Sequence, residues 1–399
     1  MKTPIITTLC FLMVCLSYGQ KFNRSHQLSV GAGHETNAFL RPNSLLEDDE
    51  LLERPDLWDN GTYQSVALSN GLKWQKGPHK FKLKLNGTLG IYQTEENSNR
   101  YSITAGFAYR VKYGSKKYFE FAPEYYLKKR RGINGDQAVL ATPFSFQQVR
   151  VPVSFDFYLG DMAWLKSEAG YFFKGYDQPN AQVLQYRAPF LQVSFSKKWT
   201  LGENITRLTV ESRTQWRKYK ELDRIVTEIL FEDDFEEEEE EFFEEEGLED
   251  SVYFRAGERD WTYYFNDASY AFWTANKSFR AELGLFSMIR SDARAVSSYT
   301  EVGPGVSTEV KLEKLSLSTS LRYSIRRYSR LAPGADNNLL LQYRYLRGKF
   351  GITYQLGRRT SFYGKYTLIN RTSNNPNVDR TSFREYFYAS GELGIRWKW

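Results

Sequence analysis

Phe383 to Trp399, FREYFYASGELGIRWKW, alternates between apolar and polar residues up to the last position of the chain. Every second residue back from the end gives Trp399, Trp397, Ile395, Leu393, Gly391, Ala389 and Phe387. Between them stand Lys398, Arg396, Gly394, Glu392, Ser390, Tyr388 and Tyr386. Successive side chains of a strand point to opposite faces, so this is a strand with one apolar and one wet face. It is long for a strand of a soluble protein and calls for hydrocarbon on one side and water on the other.

The rest of the chain repeats the pattern. Alternating runs bounded by turn residues lie at 26–33, 63–74, 80–92, 101–113, 118–128, 147–160, 163–175 and 186–199. Others lie at 205–219, 260–273, 279–290, 299–313, 315–328, 338–356, 361–370 and 383–399. That is about sixteen strands, with fourteen the alternative, and an even number suits a closed single-chain barrel. Short connections such as QKGPH, GSKK and GRRT alternate with long ones, 34–62, 130–146, 220–259 and 371–382 among them. The expected fold is all-β: a transmembrane antiparallel barrel with short periplasmic turns, long extracellular loops and both termini on the periplasmic side. A large soluble β-sandwich or solenoid is the competing reading, and the short/long rhythm argues against it. Residues 20–399 are expected to form one domain.

Composition fits once the alternation is seen. A mean hydropathy of −0.57 would suggest a soluble protein, yet 16% of the residues are aromatic. In a membrane barrel only alternate residues meet lipid, and Tyr and Trp gather at the two interfaces. The first nineteen residues, MKTPIITTLCFLMVCLSYG, carry Lys2, an apolar run and the small residues Ser17 and Gly19, the layout of a secretory signal peptide cleaved after Gly19. Both cysteines, Cys10 and Cys15, fall in this leader, so neither a disulfide framework nor a thiolate metal site is expected in the mature chain. No cofactor, metal or nucleic-acid partner is expected.

The closing strand resembles the last strand of bacterial outer-membrane β-barrels. There an aromatic last residue with apolar residues at alternating positions before it is the signal for the barrel assembly machinery. The resemblance implies that role for Trp399, Trp397 and Ile395, a location in the outer membrane of a Gram-negative bacterium, and lipid as a partner. Trp stands where Phe is commoner. The leader resembles those of Bacteroidota, and GHETNAF at 33–39 resembles the first-strand ending of several barrel families, including the barrel part of surface-lipoprotein assembly modifiers. No TonB-dependent plug domain is seen ahead of the barrel, so energised uptake is not expected.

Alternation also assigns the lumen. In KFKLKLNGTLGIY, Phe81, Leu83, Leu85, Leu89 and Ile91 face lipid, which turns Lys80, Lys82 and Lys84 inward. The same reading places Arg110, Lys112, Arg150, Arg207, Arg213, Arg217, Arg280, Arg322, Arg326, Arg344, Arg384 and Arg396 inside. Glu120, Glu124, Asp156, Glu168, Glu211, Glu282, Glu301, Glu309 and Glu392 join them, so basic residues outnumber acidic ones by about two to one. Such a wall favours anions if a wet path runs through it, and packs the barrel shut if the charges pair off.

In the longest loop, FEDDFEEEEEEFFEEEGLED (231–250) carries Glu236, Glu237, Glu238, Glu239, Glu240 and Glu241. A like-charge block of this kind is ordinarily a solvated loop; the sharper readings are a plug folded onto the basic lumen or a surface site for divalent cations. Catalysis has little footing: the histidines are His26, His34 and His79, and only His34, beside Glu35 and Asn37, sits at the outer rim. The expected function is a passive, anion-leaning channel for small polar solutes. The alternative is a non-transporting barrel that binds or assists a partner through its long loops. Oligomeric state is open.

Overall fold

The computed structural model describes residues 22–37, 44–47, 50–53, 60–93, 99–130, 133–134, 142–143, 145–176, 185–219, 260–292, 298–330, 340–374 and 385–399. Residues 1–19, expected to be a leader, and the whole acidic loop of 220–259 lie outside them.

Sixteen antiparallel strands make the wall. They are β1 (Asn23–Thr36), β2 (Gly61–Lys76), β3 (His79–Tyr92), β4 (Arg100–Lys112), β5 (Lys117–Phe121 and Glu124–Lys129), β6 (Phe146–Gly160), β7 (Ala163–Gly175) and β8 (Tyr186–Leu201). Then follow β9 (Asn204–Tyr219), β10 (Trp261–Trp273), β11 (Phe279–Asp292), β12 (Tyr299–Leu312), β13 (Leu315–Tyr328), β14 (Gln342–Gln355), β15 (Thr360–Ser373) and β16 (Tyr386–Lys398). Each pairs with its neighbours in sequence, and β1 pairs with β16 as well as β2, so the sheet has no free edge. Closure is what a sheet needs in lipid, where an unpaired backbone group costs several kcal/mol.

The break inside β5 is chemical rather than topological. Pro123 brings no N–H to the ladder, and Pro152 lies across from Ala122. Phe121 opposite Val153 and Glu124 opposite Arg150 keep one register on both sides of the gap.

The closing strand runs as its alternation predicts. Gln27 to Thr36 pair with Lys398 back to Ala389, and the backbones of His26 and Trp399 exchange two hydrogen bonds at 3.0 and 3.1 Å. The seam demands small residues. A methyl on Gly31 or Gly394 would lie 2.7 Å from the Tyr363 hydroxyl, so the ring of Tyr363 occupies the space these glycines leave.

The outer face is apolar and solvent-exposed where a soluble protein would be polar: Leu283 is 63% exposed, Leu393 59% and Leu285 57%. The buried set is inverted too, rich in Tyr, Arg and Glu. Aromatics edge the outer face at both ends, Tyr101, Trp216 and Tyr264 on the long-loop side and Tyr270, Trp397 and Trp399 on the short-turn side. Wall and girdles together are those of a membrane-spanning barrel.

Strand ends differ from the expected ones by a few residues, β14 beginning at Gln342 rather than 338 and β16 at Tyr386 rather than 383. The segment after β1, expected as an irregular polar loop, contains a small ladder of Ser44–Glu47 with Glu50–Glu53. A second short ladder joins Ile133–Asn134 to Thr142–Pro143.

Candidate functional site: the lumen wall

Strand register places Lys80, Lys82, Lys84, Arg110, Arg150, Arg207, Arg213, Arg217, Arg280, Arg322 and Arg326 on the lumenal face, together with the nine expected carboxylates. Arg344 is a correction. It pairs with Ile325 on the lipid face and is exposed on the outside of β14, while Tyr343 and Tyr345 beside it are buried in the lumen. In QYRYLRGKF an inward Arg344 would turn Tyr343 and Tyr345 to the lipid; they face inward instead, with Arg371 and Arg326 of the neighbouring strands stacked on them. Arg384 and Glu236 to Glu241 lie outside the described residues, so the plug and cation readings of the acidic loop do too.

The lumen divides into two levels. At the long-loop end a belt of rings and guanidinium groups runs around the inside. Arg100 lies over Tyr63, Arg217 over Tyr263, Arg290 over Trp261, Arg326 over Tyr299 and Arg371 over Tyr386, all with 3.9 to 4.6 Å from guanidinium carbon to ring centre. Two carboxylates anchor the belt. Glu301 accepts hydrogen bonds from Arg326 Nη2 (2.8 Å) and Ser324 Oγ (2.7 Å), with Arg347 at 3.3 Å. Glu35 accepts them from Arg100, Arg130 Nη2 (2.9 Å), Tyr92 Oη (2.7 Å) and Tyr388 Oη (3.2 Å).

Below the belt the wall is wetter. Lys84 faces Glu124 at 3.9 Å, Arg322 faces Asp267 at 3.6 Å and Lys365 reaches Glu392 at 3.0 Å, yet the Lys84 and Lys365 side chains stay 54% and 59% exposed. Recesses in this part of the wall, of about 330 and 540 Å³, are lined by Glu211, Asp267, Ser320 and Arg322 and by Arg280, Glu309, Lys349 and Lys365. Among the described residues Lys80, Lys82, Arg207 and Arg213 make no ion pair with a carboxylate. Positive charge is therefore in excess along the wall.

The outer-rim trio does not assemble. His34 faces out toward Thr62 (3.3 Å), Glu35 points inward to its arginines, and Asn37 donates to the Phe387 carbonyl at 2.9 Å. Glu35 is the residue that sequence reading undervalued. Its signal was the strand's own alternation, which puts it level with inward Ser29, Gly31 and Gly33, but its partners come from distant segments. Among the described residues no three His, Cys, Asp or Glu side chains converge as metal ligands.

The chain matches no described protein family and no curated protein sequence. Solved structures similar to it are outer-membrane barrels. The outer membrane channel DcaP of Acinetobacter baumannii is 12% identical over 96% of this chain and 98% of its own, with a TM-score of 0.48. OccK5 of Pseudomonas aeruginosa is 10% identical over 94% and 97%, TM-score 0.46, and OmpT of Vibrio cholerae 12% over 95% and 97%, TM-score 0.44. Likenesses this distant carry no argument about this chain. From its own wall, closure and girdles, the chain is a closed antiparallel β-barrel of sixteen strands with the apolar outer face of a membrane-spanning one.

Proposed function

We propose that the protein is a passive channel that lets small polar solutes diffuse across the outer membrane and favours anions. The observation that carries this reading is the exposure of lumenal charges below the belt, Lys84 and Lys365 above all, on a wall where unpaired Lys and Arg exceed the free carboxylates. Charges that line a narrow path in a low-dielectric surround act strongly on a passing ion. Lys80, Lys82 and Lys84 on β3, with Arg110, Arg207, Arg280 and Arg322, set the preference. The aromatic end of the last strand serves assembly into the membrane, after export by the amino-terminal leader.

Liposome swelling with the refolded barrel tests it. Swelling should be faster for a small organic anion than for a cation of equal size. The Lys80→Glu/Lys82→Glu/Lys84→Glu variant should narrow or invert that difference.

The packed belt favours a second reading, a barrel that conducts nothing and engages a partner at its outer end. Tyr343, Tyr345 and Arg371 there have no solvent exposure. A folded barrel that leaves liposomes unswollen by any small solute would support this second reading.

A further inference from the structure

Around β6 to β9 the belt holds Lys174, Arg213 and Arg217, none of which makes an ion pair with a carboxylate among the described residues. Lys174 stands opposite Tyr186 in the β7/β8 register, and Arg217 lies over the same Tyr186 ring at 4.6 Å. The charges that act on Lys174 are those of Arg217 and Lys128, both positive. Arg213, two inward positions before Arg217 on β9 with Gln215 between them, feels the charges of Arg150 and Arg217, with Glu211 and Asp267 as the acidic ones. Asp267 already faces Arg322, and Glu168 is taken by Arg150 and by Lys166 at 2.8 Å.

The local neutralisation is aromatic. Lys174 sits 4.1 Å from the Phe146 ring centre, Arg213 4.3 Å from that of Phe265 and Arg217 3.9 Å from that of Tyr263. A cation on a ring recovers only part of what withdrawing its charge from water costs. The Nε groups of Arg213 and Arg217 are also buried and have no hydrogen-bond partner among the described residues. The Glu35 and Glu301 centres, by contrast, bring their own carboxylate.

We propose that Lys174, Arg213 and Arg217 form a binding site for the oxyanion group of a small solute, a phosphate or a carboxylate, on the way through the lumen. The proposal rests on the channel reading for its role, not for its existence. A guanidinium or ammonium donates shorter, stronger hydrogen bonds to an oxyanion than to neutral groups, which suits a transient stop for anionic solutes.

The test is calorimetric titration of the folded wild-type barrel in detergent micelles with inorganic phosphate, and separately with acetate, at ionic strength matched with chloride. Saturable binding of either is expected, and the pair of titrations tells phosphate from carboxylate recognition. Lys174→Met/Arg217→Met should weaken that binding by about tenfold or more, and Arg217→Lys, which keeps the charge, by much less. Heat-modifiable gel mobility checks folding, and Lys174→Gln and Arg213→Gln carry the same comparison if the double variant does not fold. No binding of either anion by the wild type, or equal binding by wild type and variants, would overturn the site. A barrel that binds phosphate but conducts no ions keeps the site and loses the channel reading.

Discussion

Glu35 shows at the scale of one residue how the barrel handles charge. It is fully buried, and four donors from β3, β4, the end of β5 and β16 converge on it. Removing it leaves Arg100 and Arg130 facing each other. Glu35→Ala should therefore cost about 3 to 5 kcal/mol, at the lower end because Arg100 keeps some contact with water. Urea unfolding of the barrel in detergent measures this. The two faces of β3 give a sharper contrast. Leu85, 51% exposed on the lipid side, becomes a charge in hydrocarbon as Leu85→Arg, at about 2 to 4 kcal/mol. Lys82→Ala, one strand face over, should leave unfolding almost unchanged and lower anion preference. Equal stability of the two variants would mean that the register of β3 is wrong.

Among the elements, the turn between β6 and β7 sets two consecutive non-glycine residues in left-handed backbone. Asp161 and Met162 both have positive φ, 43° and 56°, after Gly160 at 96°, and the register shifts between Tyr158 and Gly160. Left-handed backbone disfavours a side chain such as Met, so Met162→Gly should stabilise the barrel by about 0.5 to 1 kcal/mol, read from the same urea curves. The strands themselves were legible because lipid imposes period two over ten or more residues, and all sixteen runs in the sequence correspond to wall strands. Their faces were legible wherever Leu, Ile and Val mark the lipid side, as in β3 and β13. They were not legible in β14. Tyr belongs equally to a lipid interface and to an arginine-stacked lumen, so Arg344 and Tyr345 exchanged sides.

For the whole molecule, closure converts these strand-level preferences into a path. The same inward alternation yields a dry belt at one end and a wet, basic wall below it, and local sequence carries no sign of which level a residue occupies. Level depends on shear between strands and on partners such as Arg130, which reaches Glu35 across 95 positions of sequence. A belt held by ion pairs and stacked rings should narrow the path at the long-loop end, so Glu35→Ala should raise conductance as well as lower stability. Paired recordings of the variant and the parent in planar bilayers would check that increase.

Single-channel recording of the refolded chain of residues 20–399 in a planar bilayer under a salt gradient tests the central claim most directly. A stable conductance is expected, with a reversal potential on the anion-selective side that moves toward the cation side in the Lys80→Glu/Lys82→Glu/Lys84→Glu variant. Electrical silence from barrels that circular dichroism and gel mobility report as folded, or cation selectivity in the parent, would contradict it.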